Sequence, residues 1–335
     1  MPLTQLNFQP GIDTENTQTG AEGRWVDGDK IRFRKGLPQK IGGWIKFSEA
    51  YYVGVGRALE QWFALNGARY EALGTDRKVY TFASGTSQDI TPIRETAALV
   101  NAISTTTSSD IITITDVSHG ATQGDFVTLS SVSIDVGGIV AATLDAEYEI
   151  LSIANVDAYT IQSSATANAN AGPTANCTAT YQLNIGPDEQ TFGYGWNSGA
   201  YSAGTWNTPR TTSNVILDAR LWSINNWGED LILTQKDGGT YEWDLSGGMT
   251  SNRATVIANA PTASTLSIIS TETRHVVCAG TETAIGNVAT QDKMFIRWSD
   301  QENYNYWTPN VTNSAGSQRI AGGSEIRCAR PAKGT

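Results

Sequence analysis

Short runs of alternating apolar and polar residues, each closed by Gly, Asp, Asn or Ser, recur along this chain, and a period of two over so short a span predicts half-buried β-strands. One group reads Gln61-Trp62-Phe63-Ala64-Leu65, Arg69-Tyr70-Glu71-Ala72-Leu73, Lys78-Val79-Tyr80-Thr81-Phe82 and Asp89-Ile90-Thr91-Pro92-Ile93. A second reads Leu221-Trp222-Ser223-Ile224, Asp230-Leu231-Ile232-Leu233-Thr234, Thr240-Tyr241-Glu242-Trp243 and Ala254-Thr255-Val256-Ile257. A third reads His275-Val276-Val277-Cys278-Ala279, Met294-Phe295-Ile296-Arg297-Trp298-Ser299 and Trp307-Thr308-Pro309. With residues 96–184 set aside, the groups return at roughly 40 residues, the spacing of β-propeller blades that each bury a face on a neighbour. A plain β-sandwich is the alternative.

Residues 96–184 carry strands of their own: Ile111-Ile112-Thr113-Ile114-Thr115, Asp125-Phe126-Val127-Thr128-Leu129, Tyr148-Glu149-Ile150-Leu151-Ser152-Ile153 and Ala158-Tyr159-Thr160-Ile161-Gln162. They predict a small β-barrel or sandwich that ends in the low-complexity run 163–176. Charge sets this stretch apart. From Glu95 to Pro209 there are 11 acidic residues and no Lys or Arg, whereas the rest of the chain holds all 23 basic residues against 22 acidic ones. Such a break marks a separate module. The expected class is therefore mostly β: a propeller-like body with an inserted small β-barrel or sandwich. The expected divisions are 1–95 (an N-terminal arm and first strands), 96–184 (the acidic insert) and 185–335 (the remaining blades).

Composition agrees with short strands and tight turns, since only 17% of the 335 residues are charged while Gly alone accounts for 33. Cys177, Cys278 and Cys328 show no CxxC spacing and cannot all pair, which fits free thiols in a reducing compartment. The N-terminus lacks the basic start and apolar stretch of a secretory signal, and no run approaches the ~18 apolar residues of a membrane span.

Candidate chemistry is sparse. His119 and His275 are the two histidines, too few for a histidine metal cluster and poor material for a Ser-His-Asp triad, so both read as structural. Asp230, Asp237, Glu242 and Asp244 lie near aromatic residues as an acid pair for glycoside hydrolysis would, but Asp and Gly in hairpins are turn chemistry first. Neither GxxxxGK[ST] nor GxGxxG occurs, and no cofactor is expected. Two features invite an interface. Lys30-Ile31-Arg32-Phe33-Arg34 alternates, which predicts Lys30, Arg32 and Arg34 on one strand face, toward DNA phosphates, an adjacent acidic ring or solvent. The glycine-rich run 192–206 carries Tyr194, Trp196, Tyr201 and Trp206, suited to an interface, to sugar stacking or to packing between blades.

The opening Phe8-Gln9-Pro10-Gly11-Ile12-Asp13, the run Arg24-Trp25-Val26-Asp27-Gly28-Asp29-Lys30-Ile31-Arg32-Phe33-Arg34-Lys35-Gly36-Leu37-Pro38 and Gly42-Gly43-Trp44 resemble propeller-type tail proteins of short-tailed bacteriophages. So does Ile296-Arg297-Trp298-Ser299-Asp300-Gln301-Glu302-Asn303 leading to Trp307-Thr308-Pro309 and Gly322-Gly323. The resemblance covers 1–93 and 190–335, and it is to the tail hub or nozzle, the packaged-DNA stabilisation type. It implies a non-enzymatic virion protein, assembled in the host cytoplasm as a ring of six copies. That ring extends the portal-adaptor channel, meets tail fibres or spikes and touches viral DNA transiently. Such proteins are usually longer, and residues 324–330 look like the start of another strand. The rival expectation is a receptor-binding fibre or spike that stacks host glycans. A glycan-cleaving depolymerase is a third.

Overall fold

The computed structural model describes residues 8–43, 45–190, 218–249 and 252–331. The run 192–206, with Tyr194, Trp196, Tyr201 and Trp206, lies outside the described residues. The chain divides into two compact units, Met1–Glu49 and Ala50–Thr335.

The first unit contains one antiparallel hairpin, β1 (Ile31–Arg34) and β2 (Leu37–Lys40). Its two-residue turn places Lys35 at φ 51° and Gly36 at φ 80°, the left-handed pair whose twist matches the flanking strands. Phe33 packs toward Trp25, which in turn meets Phe8, with ring centroids 6.5 and 5.7 Å apart.

The second unit is built on three four-stranded antiparallel meanders. The first sheet holds β3 (Gly56–Phe63), β4 (Arg69–Thr75), β5 (Val79–Ala83) and β6 (Thr86–Asp89). Between this sheet and the next, the described residues form nine strands: β7 (Ile93–Leu99), β8 (Ile103–Thr105), β9 (Ile111–Thr115), β10 (Phe126–Ser130), β11 (Glu147–Glu149), β12 (Ser152–Asn155), β13 (Ala158–Gln162), β14 (Ala171–Thr174) and β15 (Cys177–Gln182), with a single-turn helix α1 (Ala141–Leu144). The second sheet holds β16 (Trp222–Trp227), β17 (Asp230–Gln235), β18 (Thr240–Trp243) and β19 (Thr255–Val256). The third holds β20 (Leu266–Ile269), β21 (Val276–Ala279), β22 (Phe295–Trp298) and β23 (Gly316–Arg319). The chain is mostly β, as the alternation predicts.

The three meanders pack face to face. Trp62, Ala72 and Val79 of the first sheet meet Trp222, Ile224, Leu231, Leu233 and Trp243 of the second in one core. The opposite face of the second sheet, with Trp227 and Ile232, packs on Val276 and Cys278 of the third. β17 is covered on both sides, which is why Leu231-Ile232-Leu233-Thr234 is buried without interruption. Close approach is made possible at Gly74, where an added Cβ would lie 2.9 Å from the Trp222 ring.

The insert is a sandwich. Sheets β11-β10-β15-β7 and β12-β13-β9-β8-β14 face each other over one core that includes Ile112, Ile114, Val127, Leu129, Tyr159 and Ile161. In β9 the threonines Thr113 and Thr115 alternate with buried Ile112 and Ile114.

Some strands differ from the sequence expectation. Residues 148–153 are not one strand: Ile150 N–H donates to Asp125 in one sheet and Leu151 N–H to Thr160 in the other, so the chain crosses between sheets there. The fourth strand of the first sheet is β6, not 89–93, because Asp89 turns inward to ion partners and Pro92 has no N–H to offer. The third sheet gains β20 before His275 and closes on β23, while Trp307 is a buried plug outside any strand.

Trp243 is fully buried, edge-on to Trp62 at 6.3 Å, with its indole N–H donated to the Asn252 carbonyl. Trp243→Ala is expected to lower stability by about 3–5 kcal/mol, read as a lower urea midpoint with unchanged β-type circular dichroism.

Candidate functional site

The first strands of the three meanders, β3, β16 and β20, lie beside one another, each at the edge of its own sheet. Together with residues 327–331 they line a groove of about 500 Å³. Its charged lining is Arg57, Lys236, Arg327 and Arg330 against the single carboxylate of Glu60. Much of this charge is engaged already. Lys236 Nζ lies 2.5 Å from Asp218, Arg327 pairs with Glu325 at 2.7 Å, and Arg57 donates to the Asp188 carbonyl. The hydrogen bond from Lys236 holds the Asp218 carboxyl below the usual carboxylate range, while burial pushes Glu60 up against the pull of Arg330. Among the described residues the groove's lining holds one carboxylate and no histidine, so it offers no pair of carboxylates.

The best-defined polar constellation lies where the insert meets the meanders. Lys78, whose side chain is only 5% exposed, places its ammonium 3.0 Å from Asp89 and in contact with Glu147 of β11. Arg253, next to β19, reaches both acids, Asp89 at 3.1 Å and Glu147 at 3.4 Å. Gln182 of β15 donates to the same two carboxylates. One residue along, Arg77 pairs with Glu149 at 3.1 Å, and the Lys78 ammonium sits 4.1 Å from the Phe126 ring centroid. The reason is local: edge strand β11 reads Glu-Tyr-Glu, so the period of two buries Tyr148 in the sandwich and turns both carboxylates toward the cations. Burial pushes the Asp89 carboxyl up, but Arg253, Lys78 and the hydrogen bonds from Thr91 outweigh it and hold it below its ordinary value.

The predicted contact residues fall in the first unit. Arg32 and Arg34 project from β1 into solvent, opposite half-buried Ile31 and Phe33, and Arg32 donates to Gln39 across the hairpin at 3.2 Å. Lys30 departs from the expected alternation: it precedes the strand at φ 55°, beside Asp29 at 3.6 Å, so the strand parity that sets Arg32 and Arg34 does not extend to it.

Both histidines hold backbone. His119 is buried against the Tyr159 ring, accepts from Ala121 N–H at Nδ1 and bonds the Asn155 carbonyl at Nε2. His275 Nδ1 bonds the Ser299 carbonyl. Of the four acids, Asp237 pairs with Lys293 across the second and third sheets, and Asp244 caps Ser246. Burial, with Asp244 and Glu229 nearby, pushes Asp230 up, while the Ser246 hydrogen bonds pull Asp244 down. Tyr304 is pushed up by burial and by its bond to Glu242. None of these four acids lines the groove. Among the described residues no group of three or more His, Cys, Asp or Glu is placed to hold a metal ion, and no helix is long and apolar enough to cross a membrane. The ion-paired junction was not foreseen from sequence, because Lys78 and Glu147 are 69 positions apart; the abrupt charge boundary was its one trace.

Replacing both acids, Asp89→Asn with Glu147→Gln, leaves the Lys78 ammonium buried without a carboxylate. A loss of about 3–5 kcal/mol is expected in urea unfolding, with a smaller loss for either single change. Because the folded Asp89 carboxyl titrates below its unfolded value of about 3.9, its contribution is present above that pH and fades as pH falls through the folded value. An Asp89→Asn protein should therefore lose less stability than the wild type on acidification below about pH 4, measured as unfolding midpoint against pH.

No family model and no curated protein sequence matches the chain. Among solved structures, the endosialidase of phage phi92 aligns over 80% of this chain at 14% identity with a TM-score of 0.24, which does not establish a shared fold. The chain spans 38% of that protein's length.

Proposed function

We propose that this chain is a structural component of a bacteriophage tail, a nozzle or hub subunit. Its copies form a ring, six by resemblance, that extends the portal-adaptor channel, retains packaged DNA and conducts it at ejection. The observation that carries this reading is the series of three four-stranded meanders stacked face to face, with their first strands side by side. The meanders follow the stretch 24–38 and take in the stretch 296–309, whose residues resemble such tail proteins. Stacked meanders build a stiff body, and the ion pairs of Lys78 and Arg253 with Asp89 and Glu147 hold its parts together. The role is mechanical rather than catalytic, and the chain is a virion protein with portal-adaptor proteins, tail fibres or spikes and, briefly, viral DNA as its neighbours.

In this reading Arg32 and Arg34, with Lys30 at the strand entrance, face an adjacent ring. Changing all three to Glu should leave the isolated protein folded and abolish its capture by the portal-adaptor complex, since like charges across an interface cost on the order of several kcal/mol. Capture at normal yield would remove that role. Tail images of particles give the second arm. Trp196→Ala with Trp206→Ala should reduce completed tails, whereas intact tails that no longer adsorb to cells would replace the nozzle by a glycan-binding fibre.

A further inference from the structure

The hairpin that joins β3 to β4 is also a clasp between the first and second sheets. Its loop is Leu65-Asn66-Gly67: Ala64 N–H donates to the Ala68 carbonyl, Gly67 N–H donates to the Ala64 carbonyl, and Gly67 takes φ 79°, the left-handed last position of a three-residue hairpin loop. From this tip Leu65 N–H donates to the Glu229 carboxylate at 2.7 Å, and from the same hairpin the Trp62 indole donates to the Glu229 carbonyl at 3.0 Å. Glu229 lies in the turn between β16 and β17, so the tip of the first sheet grips the turn of the second.

Asn66-Gly67 is the one Asn-Gly pair in the sequence. An asparagine followed by glycine is prone to attack by its own backbone, because no Cβ shields the glycine nitrogen. Both residues are exposed, so water reaches the loop. Ala68 N–H donates to Asn66 Oδ1 at 2.8 Å. That bond holds the side-chain amide against the backbone that follows it, and it places a donor on the oxygen that gains negative charge when Cγ is attacked. The bond from Gly67 N–H to the Ala64 carbonyl has to open first, and at an exposed hairpin tip such bonds open at low cost.

We propose that Asn66 is a site of spontaneous deamidation and that its conversion loosens the grip on Glu229. The Gly67 nitrogen loses its proton to solvent and bonds Asn66 Cγ, while the side-chain nitrogen takes up a proton and leaves as ammonia, which closes a succinimide ring. Water then opens the ring. Attack at Cγ returns the ordinary backbone with aspartate at this position, and attack at the main-chain carbonyl gives isoaspartate, whose backbone runs through Cβ and Cγ. One water is consumed and one ammonia released, with no oxidation or reduction. Either product adds a negative charge one residue from the bond to the Glu229 carboxylate, and like charges so placed repel. Isoaspartate also lengthens the loop backbone by a carbon atom, which disturbs the closure of Ala64 on Ala68. The inference concerns the joint between the sheets and does not depend on the tail role.

The test ages the full chain at mildly alkaline pH beside Asn66→Ser, and maps both by peptide mass spectrometry with aspartate and isoaspartate peptides separated. In the wild type the Asn66 peptide should convert ahead of those of the other asparagines, with isoaspartate as the larger product, and the urea midpoint should fall as conversion proceeds. The aged Asn66→Ser protein should keep its midpoint. Should that variant fold poorly, ion exchange separates converted from unconverted wild type by the new charge, and the two fractions are compared directly. Fresh Asn66→Asp, which carries the charge without the extra carbon atom, should lie between the unconverted and isoaspartate forms. An Asn66 that stays intact, or converts no sooner than the other asparagines, would overturn the site; a converted fraction with an unchanged midpoint would overturn its effect on the joint.

Discussion

Leu231, Ile232, Leu233 and Thr234 are buried in succession on β17, and that single strand dictates the arrangement around it. Consecutive strand residues point to opposite faces, so a strand with no exposed interior position needs a neighbour on each side. A four-stranded meander cannot supply that for itself. The first sheet brings Trp62 to one side and the third brings Val276 and Cys278 to the other, and the first strands are thereby drawn together along the groove. Where burial is complete the joints are held by shape and a few shared hydrogen bonds, such as Trp62 to the Glu229 carbonyl and Asn225 to Ser267.

The insert is attached by a different kind of force. Its core is closed within itself, and what binds it to the meanders is an array of charges, Lys78 and Arg253 on one side, Glu147 from β11 on the other, with Asp89 between. Apolar sheet packing tolerates small slips, whereas an ion-paired junction with several partners fixes distance and angle together. The acidic character of the insert thus has a use at its root, where two of its carboxylates neutralise cations that the first sheet holds at partly or largely buried positions.

Much of this was legible in the residues. The central strands of the meanders stood out because turn residues bracket them, as at Lys236-Asp237-Gly238-Gly239, and the insert stood out by its charge. Less legible were the features that depend on distant partners. β20, Leu266-Ser267-Ile268-Ile269, is too short to announce itself by alternation, and Trp307, in a run that reads as a strand, fills a core from a loop. Lys30 illustrates a local limit: alternation in the letters continued one residue beyond the strand, but the left-handed backbone at that position ends the parity. Barrel or sandwich could not be told from strand lengths, since the choice is made at Ile150, where the chain leaves one sheet for the other.

The ends of the insert are neighbours. β7, on which it begins, pairs along its length with β15, on which it ends, so that Ile93 stands opposite Gln182. For the meanders, everything between these two positions is a closed loop tied at its neck, and the entropy of joining its ends is met by the insert's own ladder rather than by the body. Lineages can therefore lengthen, shorten or exchange what lies beyond the neck without retuning the sheets on either side, and the stacked body and its appendage are free to diverge at different speeds.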